Sequence, residues 1–291
     1  MKNLIRTLLL TVSLLPAVGQ AAPSPVEVKS DVAFLGADRK EKLDIYLPSD
    51  ASGTAALRPA VVYYHGGGWV HGDKATDREK EIGGTLAGAG YVFISANYLL
   101  GAKVWPTNVD DCLSALHFIR SHAAEYRVDP ARVALMGASA GGHLALLIAY
   151  TAQSSDRVKA VIDLYGITDL LTRRDVNPDG TAKATLDNAH SAEMLGVGRQ
   201  EGAALWKKAS PTYHVTSSSP PTLIIQGLAD PIVDHAQSSE LAQILEKKGV
   251  EHQLLFIPGI GHQFDLETWK NKPLPQDLRP VVLAFLAKYL N

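Results

Sequence analysis

Gly137-Ala138-Ser139-Ala140-Gly141-Gly142 stands between the apolar run 133–136 and the apolar run 144–149. The first run is short and strand-like, whereas the second is long enough to continue as a helix. A serine held on a tight strand-to-helix turn lies in strained backbone geometry, and the small residues two before and two after it, Gly137 and Gly141, relieve the crowding. Such a turn lifts the hydroxyl above the carboxyl end of a sheet, where the N-terminal N–H groups of the following helix point at the same place. One G-x-S-x-G arises by chance, but its position between strand and helix marks Ser139 as a candidate nucleophile.

Outward from this turn the chain alternates. Segments 26–34 and 42–47 read as strands that can pair as a hairpin, the second with a period-two K-L-D-I-Y-L pattern. Segments 59–64, 91–96, 132–136, 158–164 and 222–225 are short apolar runs of the kind buried on both faces of a parallel sheet. Helical patterns at 108–126 and 236–248 lie between them. The expected fold class is α/β, a mostly parallel central sheet with helices on both faces. The rhythm breaks at about 166–219, where Gly, Asp and Asn punctuate two weak helical patches, 182–195 and 200–208. A stretch of this length between two sheet strands reads as a small cap-like insertion over the site, with a pair of ordinary crossover helices as the rival.

A serine hydroxyl is a poor nucleophile at neutral pH, so a base and an orienting acid should follow it in the order Ser, acid, His. His262 fits the base, because Gly261-His262-Gln263-Phe264 follows an apolar run on a turn containing Pro258 and Gly259. His65, His71, His117, His122 and His143 precede or adjoin the serine, and His235 and His252 fall in or beside the 236–248 helix. Asp230 lies in the loop after the strand 222–225 and is the candidate acid; Asp234, read as a helix N-cap, and Asp265, read as a surface residue, are its rivals. His65-Gly66-Gly67-Gly68-Trp69 follows the strand 59–64. Its glycines let backbone N–H groups approach a ligand, so Gly67 and Gly68, with Gly66 as a further candidate, should join Ala140 in an oxyanion hole. A phosphate-binding loop would need a G-K-[ST] ending, which is missing.

Composition narrows the classes further. The chain has 291 residues, 46% hydrophobic and 20% charged, with a net charge of −2, which excludes a wholly disordered chain and a polytopic membrane protein and offers no basic patch for nucleic acid. Lys2 and Arg6 precede an apolar run from Leu8 to Val18 and the small residues Gly19-Gln20-Ala21-Ala22, the pattern of a secretory signal peptide cleaved after Ala21. The run is too short to span a bilayer. Expected domains are therefore a signal peptide, 1–21, and one domain, 22–291, carrying a mature charge of −4 and destined for the periplasm or secretion, without stable membrane insertion. Cys112 is the only cysteine, and no H-E-x-x-H or C-x-x-C occurs, so neither a disulfide nor a metal is indicated.

Together, H-G-G-G-W at 65–69, G-A-S-A-G-G at 137–142, D-P-I-V at 230–233 and G-H-Q-F at 261–264 resemble the α/β-hydrolase fold esterases of the hormone-sensitive-lipase-like kind, close to bacterial feruloyl/acetyl-xylan-type esterases and arylformamidases. The resemblance runs from about Val26 to Tyr289. It implies a serine hydrolase without cofactor that cleaves carboxylic esters through Ser139, His262 and Asp230, acting on small-molecule esters that include acylated carbohydrate fragments. It also implies that the 166–219 stretch helps to form the pocket, with Trp69 as a pocket residue or a buried structural one. Ala138, where many lipase-like members carry an acidic residue, points toward the small-ester branch. An arylformamidase or amidase using the same three residues is the alternative enzyme, and a non-catalytic binding module on a hydrolase fold is the alternative of another class.

Overall fold

The computed structural model describes residues 26–49, 56–174, 176, 177, 183 and 189–291. The expected signal peptide lies outside them. In chain order the elements are β1 (Val26–Ala33), β2 (Lys42–Pro48), β3 (Arg58–Tyr64), α1 (Asp77–Gly88), β4 (Val92–Ala96), α2 (Thr107–Ser121), β5 (Val128–Ala138), α3 (Ala140–Thr151), β6 (Ala160–Leu164), α4 (Ala189–Leu195), α5 (Ala203–Lys208), β7 (Thr222–Gly227), α6 (Ala236–Lys247), β8 (His252–Ile257), the two-residue strands β9 (Thr268–Trp269) and β10 (Lys272–Pro273), and α7 (Arg279–Leu290).

Eight strands form one sheet in the order β1-β2-β4-β3-β5-β6-β7-β8. β1 and β2 make the expected antiparallel hairpin, β2 meets β4 antiparallel, and every pairing from β4 to β8 is parallel. A parallel sheet must be covered on both faces, and β4 and β6 are accordingly buried at every residue. Two apolar clusters lie on the two faces. One gathers Ile45, Val62, Leu135, Leu144 and Ile224 with Trp206, and the other gathers Val61, Met136, Ile162, Leu223 and Phe285. β3, β5, β7 and β8 run the same way, so the loops after them emerge at one edge, where ligands of open α/β sheets bind.

Boundaries shift where tertiary contacts decide. The helix expected over 108–126 ends at Ser121 with His122 as its cap, and after Arg127, at a positive φ of 53°, Val128 pairs with Arg58 in the sheet. β5 therefore begins four residues before the expected segment. α1 was not legible in the sequence. It carries Gly83, Gly84 and Gly88, poor helix formers, but at Gly83 an added Cβ would lie 2.9 Å from the Phe93 ring and 3.0 Å from Tyr46. Close packing on the sheet, rather than propensity, holds this helix. Within the 166–219 stretch the described residues form α4, α5 and a 3₁₀ turn, Pro211–His214, and bury Met194, Trp206 and Ala209 against the main core.

Candidate active site

Ser139 joins β5 to α3 with φ 55° and ψ −119°, a backbone conformation that costs energy for any non-glycine residue. Close packing enforces it. A Cβ on Gly141 would fall 1.9 Å from the Tyr64 carbonyl oxygen, so α3 starts against the end of β3 only because none is present. Ser139 is 8% exposed, its hydroxyl reachable from one side.

The loops after β7 and β8 meet it. His262 Nε2 lies 2.9 Å from Ser139 Oγ and His262 Nδ1 lies 2.7 Å from Asp230 Oδ2. A carboxylate only accepts, so Nδ1 carries the proton and Nε2 is left to accept from the hydroxyl. Asp230 is itself anchored. Its Oδ1 accepts the N–H groups of Ile232 at 2.8 Å and Val233 at 3.0 Å, and its Oδ2 accepts Gln226 Nε2–H at 2.9 Å. On the other side of His262 the Tyr165 ring packs edge-on at 4.7 Å between centroids, and the Tyr165 hydroxyl donates to the Phe264 carbonyl at 2.8 Å. The imidazole is held from both sides.

The glycine loop after β3 folds over the serine. A Cβ on Gly66 would lie 3.3 Å from the Ser139 Cβ, and Gly67, at φ 124°, takes a conformation that side chains rarely adopt. A Cβ on Gly68, at φ 61°, would meet His190 Nδ1 at 2.6 Å, so α4 closes on the loop from above. Ala140 is the first residue of α3, and its N–H has no intrahelical acceptor. Gly66, Gly67, Gly68 and Ala140 thus come together around Ser139, His262 and Asp230.

A cavity of about 200 Å³ opens here, lined by Ser139, His262 and the three glycines together with His71, Arg78, Ile167, Arg173, His190, Ile232 and Gln263. Trp69 is not among them, which corrects the expectation that it lines the pocket. With φ 64° the chain turns its indole inward, where it is fully buried and donates from Nε1 to His143 Nδ1 at 3.3 Å. Burial lowers the His143 pKa to about 4, so this imidazole stays neutral and donates from Nε2 to the Ala209 carbonyl at 2.7 Å. Trp69 therefore ties the glycine loop to α3 and to the chain beyond α5. Asp234 accepts the Ala236 N–H at 2.9 Å at the start of α6, and Asp265, half-buried, accepts the N–H groups of Glu267 and Thr268 in its own turn. Neither touches His262.

Sequence reasoning missed several residues here. Arg78 stands in the first turn of α1 and donates from Nε and Nη2 to the fully buried Glu79 at 3.0 and 2.7 Å. Arg173 is 5% exposed and, among its contacts, donates from the 166–219 stretch to the Ile232 carbonyl at 3.3 Å. No motif marks them, and only the fold brings them to the serine. Among the described residues no set of three His, Cys, Asp or Glu side chains gathers as a metal site, and no helix is long and apolar enough to cross a membrane. A wider hollow of about 740 Å³ beside β8 and α7 lies apart from the serine.

Fold and site define an α/β-hydrolase. The BD-FAE family model matches residues 43–245, more than half of the chain, and the protein belongs to this family. Esterase LipQ of Mycobacterium tuberculosis is 28% identical over 81% of this chain and 57% of its own length, and ethyl acetate hydrolase of Pseudomonas putida is 31% identical over 70% and 65% respectively. The chain thus spans between a half and two thirds of these relatives. A truncated carbohydrate esterase from gut microbiota shares the fold with a TM-score of 0.76 at 24% identity, over 92% of this chain and 98% of that one.

Proposed function

We propose that the protein is a carboxylic ester hydrolase acting on short acyl chains through a covalent serine intermediate. The observation that carries the proposal is the continuous hydrogen-bond chain from Ser139 Oγ through His262 to Asp230, set beside the glycine loop. His262 Nε2 takes the hydroxyl proton as Ser139 Oγ bonds to the ester carbonyl carbon, and Asp230 stabilises the imidazolium without taking its proton. The N–H groups of Ala140 and of Gly67 and Gly68, with Gly66 as a further donor, receive the negative charge on the carbonyl oxygen, a contribution of about 3–4 kcal/mol for one such donor. As the tetrahedral adduct collapses, the C–O bond to the alcohol breaks and His262 returns the proton to the leaving oxygen. Water then loses a proton to His262, adds to the acyl carbon, and the serine departs with its proton restored.

A cavity of about 200 Å³ suits a short acyl group, and the names of the relatives, an esterase and an ethyl acetate hydrolase, favour ester over amide substrates. Acylated carbohydrate fragments are the extended form of the same substrate class. The N-terminal pattern at 1–21 supports export to the periplasm or beyond, with residues 22–291 as the mature domain and 166–219 as its insertion.

The test is covalent labelling with an acyl-chain series. A serine-directed phosphonate should add one adduct, on the peptide containing Ser139, and Ser139→Ala should abolish labelling and turnover while the protein stays folded. kcat/KM should peak between acetyl and butyryl aryl esters and fall about tenfold or more by a ten-carbon chain, since each mis-sized methylene shifts specificity by about 1–3 kcal/mol. Labelling at another serine, or a preference for emulsified long-chain esters, would sink the reading.

A further inference from the structure

Between His262 and α7 the chain folds back on itself. Lys270 and Asn271 both take a positive φ, 52° and 59°, in the two-residue turn that matches the twist of a hairpin. β9 and β10 flank this turn and pair antiparallel, Trp269 opposite Lys272. So short a hairpin has little stability of its own in water, and it is fastened from outside. Asp265 accepts the N–H groups of Glu267 and Thr268 and the Thr268 hydroxyl, the Leu274 N–H donates to the Glu267 carbonyl at 2.7 Å, and the Leu278 N–H donates to the Leu266 carbonyl at 2.9 Å. The half-buried Trp269 packs against the apolar cluster that holds Leu266, Leu274 and Leu278.

An indole N–H taken out of water needs an acceptor, and here the acceptor belongs to the base. Trp269 Nε1–H donates to the His262 carbonyl at 2.8 Å. The ring also touches the residue before it. A Cβ on Gly261 would fall 2.8 Å from Trp269 Cζ2, 3.3 Å from the Ala229 carbonyl oxygen and 3.4 Å from Pro231 Cδ. The indole and the two residues flanking Asp230 thus converge on one side of Gly261, where only a glycine lets them close. The peptide leading into His262 is gripped between this contact and the hydrogen bond. Trp269 therefore sets the point from which the imidazole reaches Asp230 Oδ2 and Ser139 Oγ.

We propose that Trp269 is a positioning residue for His262, holding the imidazole in line between Asp230 and Ser139 through the His262 carbonyl and the Gly261 contact. This rests on the ester hydrolase reading above, in which His262 acts twice, as base towards Ser139 and then towards water. Trp269 is not among the residues that line the cavity, so its effect falls on rate and not on substrate binding. A displacement of about 1 Å in such a group costs on the order of 10² in rate, and loss of one of two anchors displaces it by less.

Trp269→Phe keeps an aromatic ring and removes the N–H. With 4-nitrophenyl acetate, rapid mixing reads acylation from the first release of 4-nitrophenol and deacylation from the turnover that follows. Both rate constants should fall about tenfold and in the same proportion, because His262 serves both halves. KM should stay within about twofold, since equal slowing of the two halves cancels in it. The rate at which the phosphonate labels Ser139 should fall by the same factor. Parent-like rates in Trp269→Phe, a change confined to KM, or slowing of one half alone overturns the proposal and leaves the esterase reading standing. Failure of the parent enzyme to turn over the ester, with Ser139 still labelled, overturns the esterase reading and leaves the labelling rate to decide on Trp269. Absence of labelling at Ser139 overturns both. Should Trp269→Phe not fold, 3-benzothienylalanine at position 269, which replaces the N–H by sulfur within the same ring outline, takes its place with the same expected losses and the same refuting outcomes.

Discussion

Asp163 and Asp230 stand at the carboxyl ends of neighbouring strands, β6 and β7, and both are buried. Their surroundings differ completely. Four donors converge on Asp230, from the backbone of Ile232 and Val233 and the side chains of Gln226 and His262. Asp163 is wedged where a Cβ on Gly142 or Gly166 would fall 2.3 or 2.1 Å from its Oδ1, and neither of its oxygens makes a complete hydrogen bond among the described residues. Burial raises its pKa to about 7, and the nearby Gly166 N–H offsets only part of that. The Asp230 site supplies donors that fix the carboxyl group's direction towards His262. The Asp163 site favours the neutral acid and fills space under the α3 turn. A carboxyl group at the active edge of a sheet thus takes its role from the donors around it and not from its position alone.

The largest effect that can break this contrast is on turnover. Asp230→Asn should lower kcat by about 10⁴, since an amide cannot hold His262 in the tautomer with Nε2 free to accept, while Asp163→Asn should leave kcat near the parent value. Steady-state kinetics on 4-nitrophenyl acetate measures both, and comparable losses in the two variants would erase the distinction.

Stability against pH sharpens the other half. A carboxyl raised from 3.8 to about 7 in the folded state binds its proton more tightly there than in the unfolded chain. Stability from this group is fully present below about pH 4 and is lost as pH rises towards 7, by up to roughly 4 kcal/mol at 1.36 kcal/mol per unit. Urea melts of Asp163→Asn should accordingly show a gain over the parent at pH 8 that vanishes at pH 4. A parallel pH dependence in both proteins would remove Asp163 from the account.

The smallest expected effect concerns the shell around Asp230. Gln226 donates to Asp230 Oδ2 and receives the Ser238 hydroxyl at 3.3 Å on its own oxygen. Gln226→Ala removes one hydrogen bond to a charged group, worth about 1.5–3 kcal/mol. kcat should fall about tenfold or somewhat more with KM little changed, and a change confined to KM would instead place Gln226 in substrate binding.

Much of this was legible in residue order. Ser139, Asp230 and His262 could be picked out because each follows a strand-like run and precedes a turn, and parallel strands deliver all such turns to one edge of the sheet. The Gly67 and Gly141 positions were legible for a local reason, since a backbone that cannot tolerate a Cβ leaves a glycine behind. Arg78, Arg173, His190 and Tyr165 were not. They lie in a helix first turn, in the 166–219 stretch and just past β6, without a spacing that links them, and long-range packing alone carries the first three to the cavity and Tyr165 against His262. Trp69 shows the same limit in reverse, for its place beside the glycine loop suggested the pocket and a positive φ turned it into the core. The sequence by itself determined the sheet, the turns that hold the candidate residues and the order of those three residues, because apolar runs and glycine turns are local properties of the chain. Only the tertiary structure decided which charges face the cavity and which carboxyl has its pKa raised, because burial, donor supply and the approach of distant side chains are set by packing across the sheet.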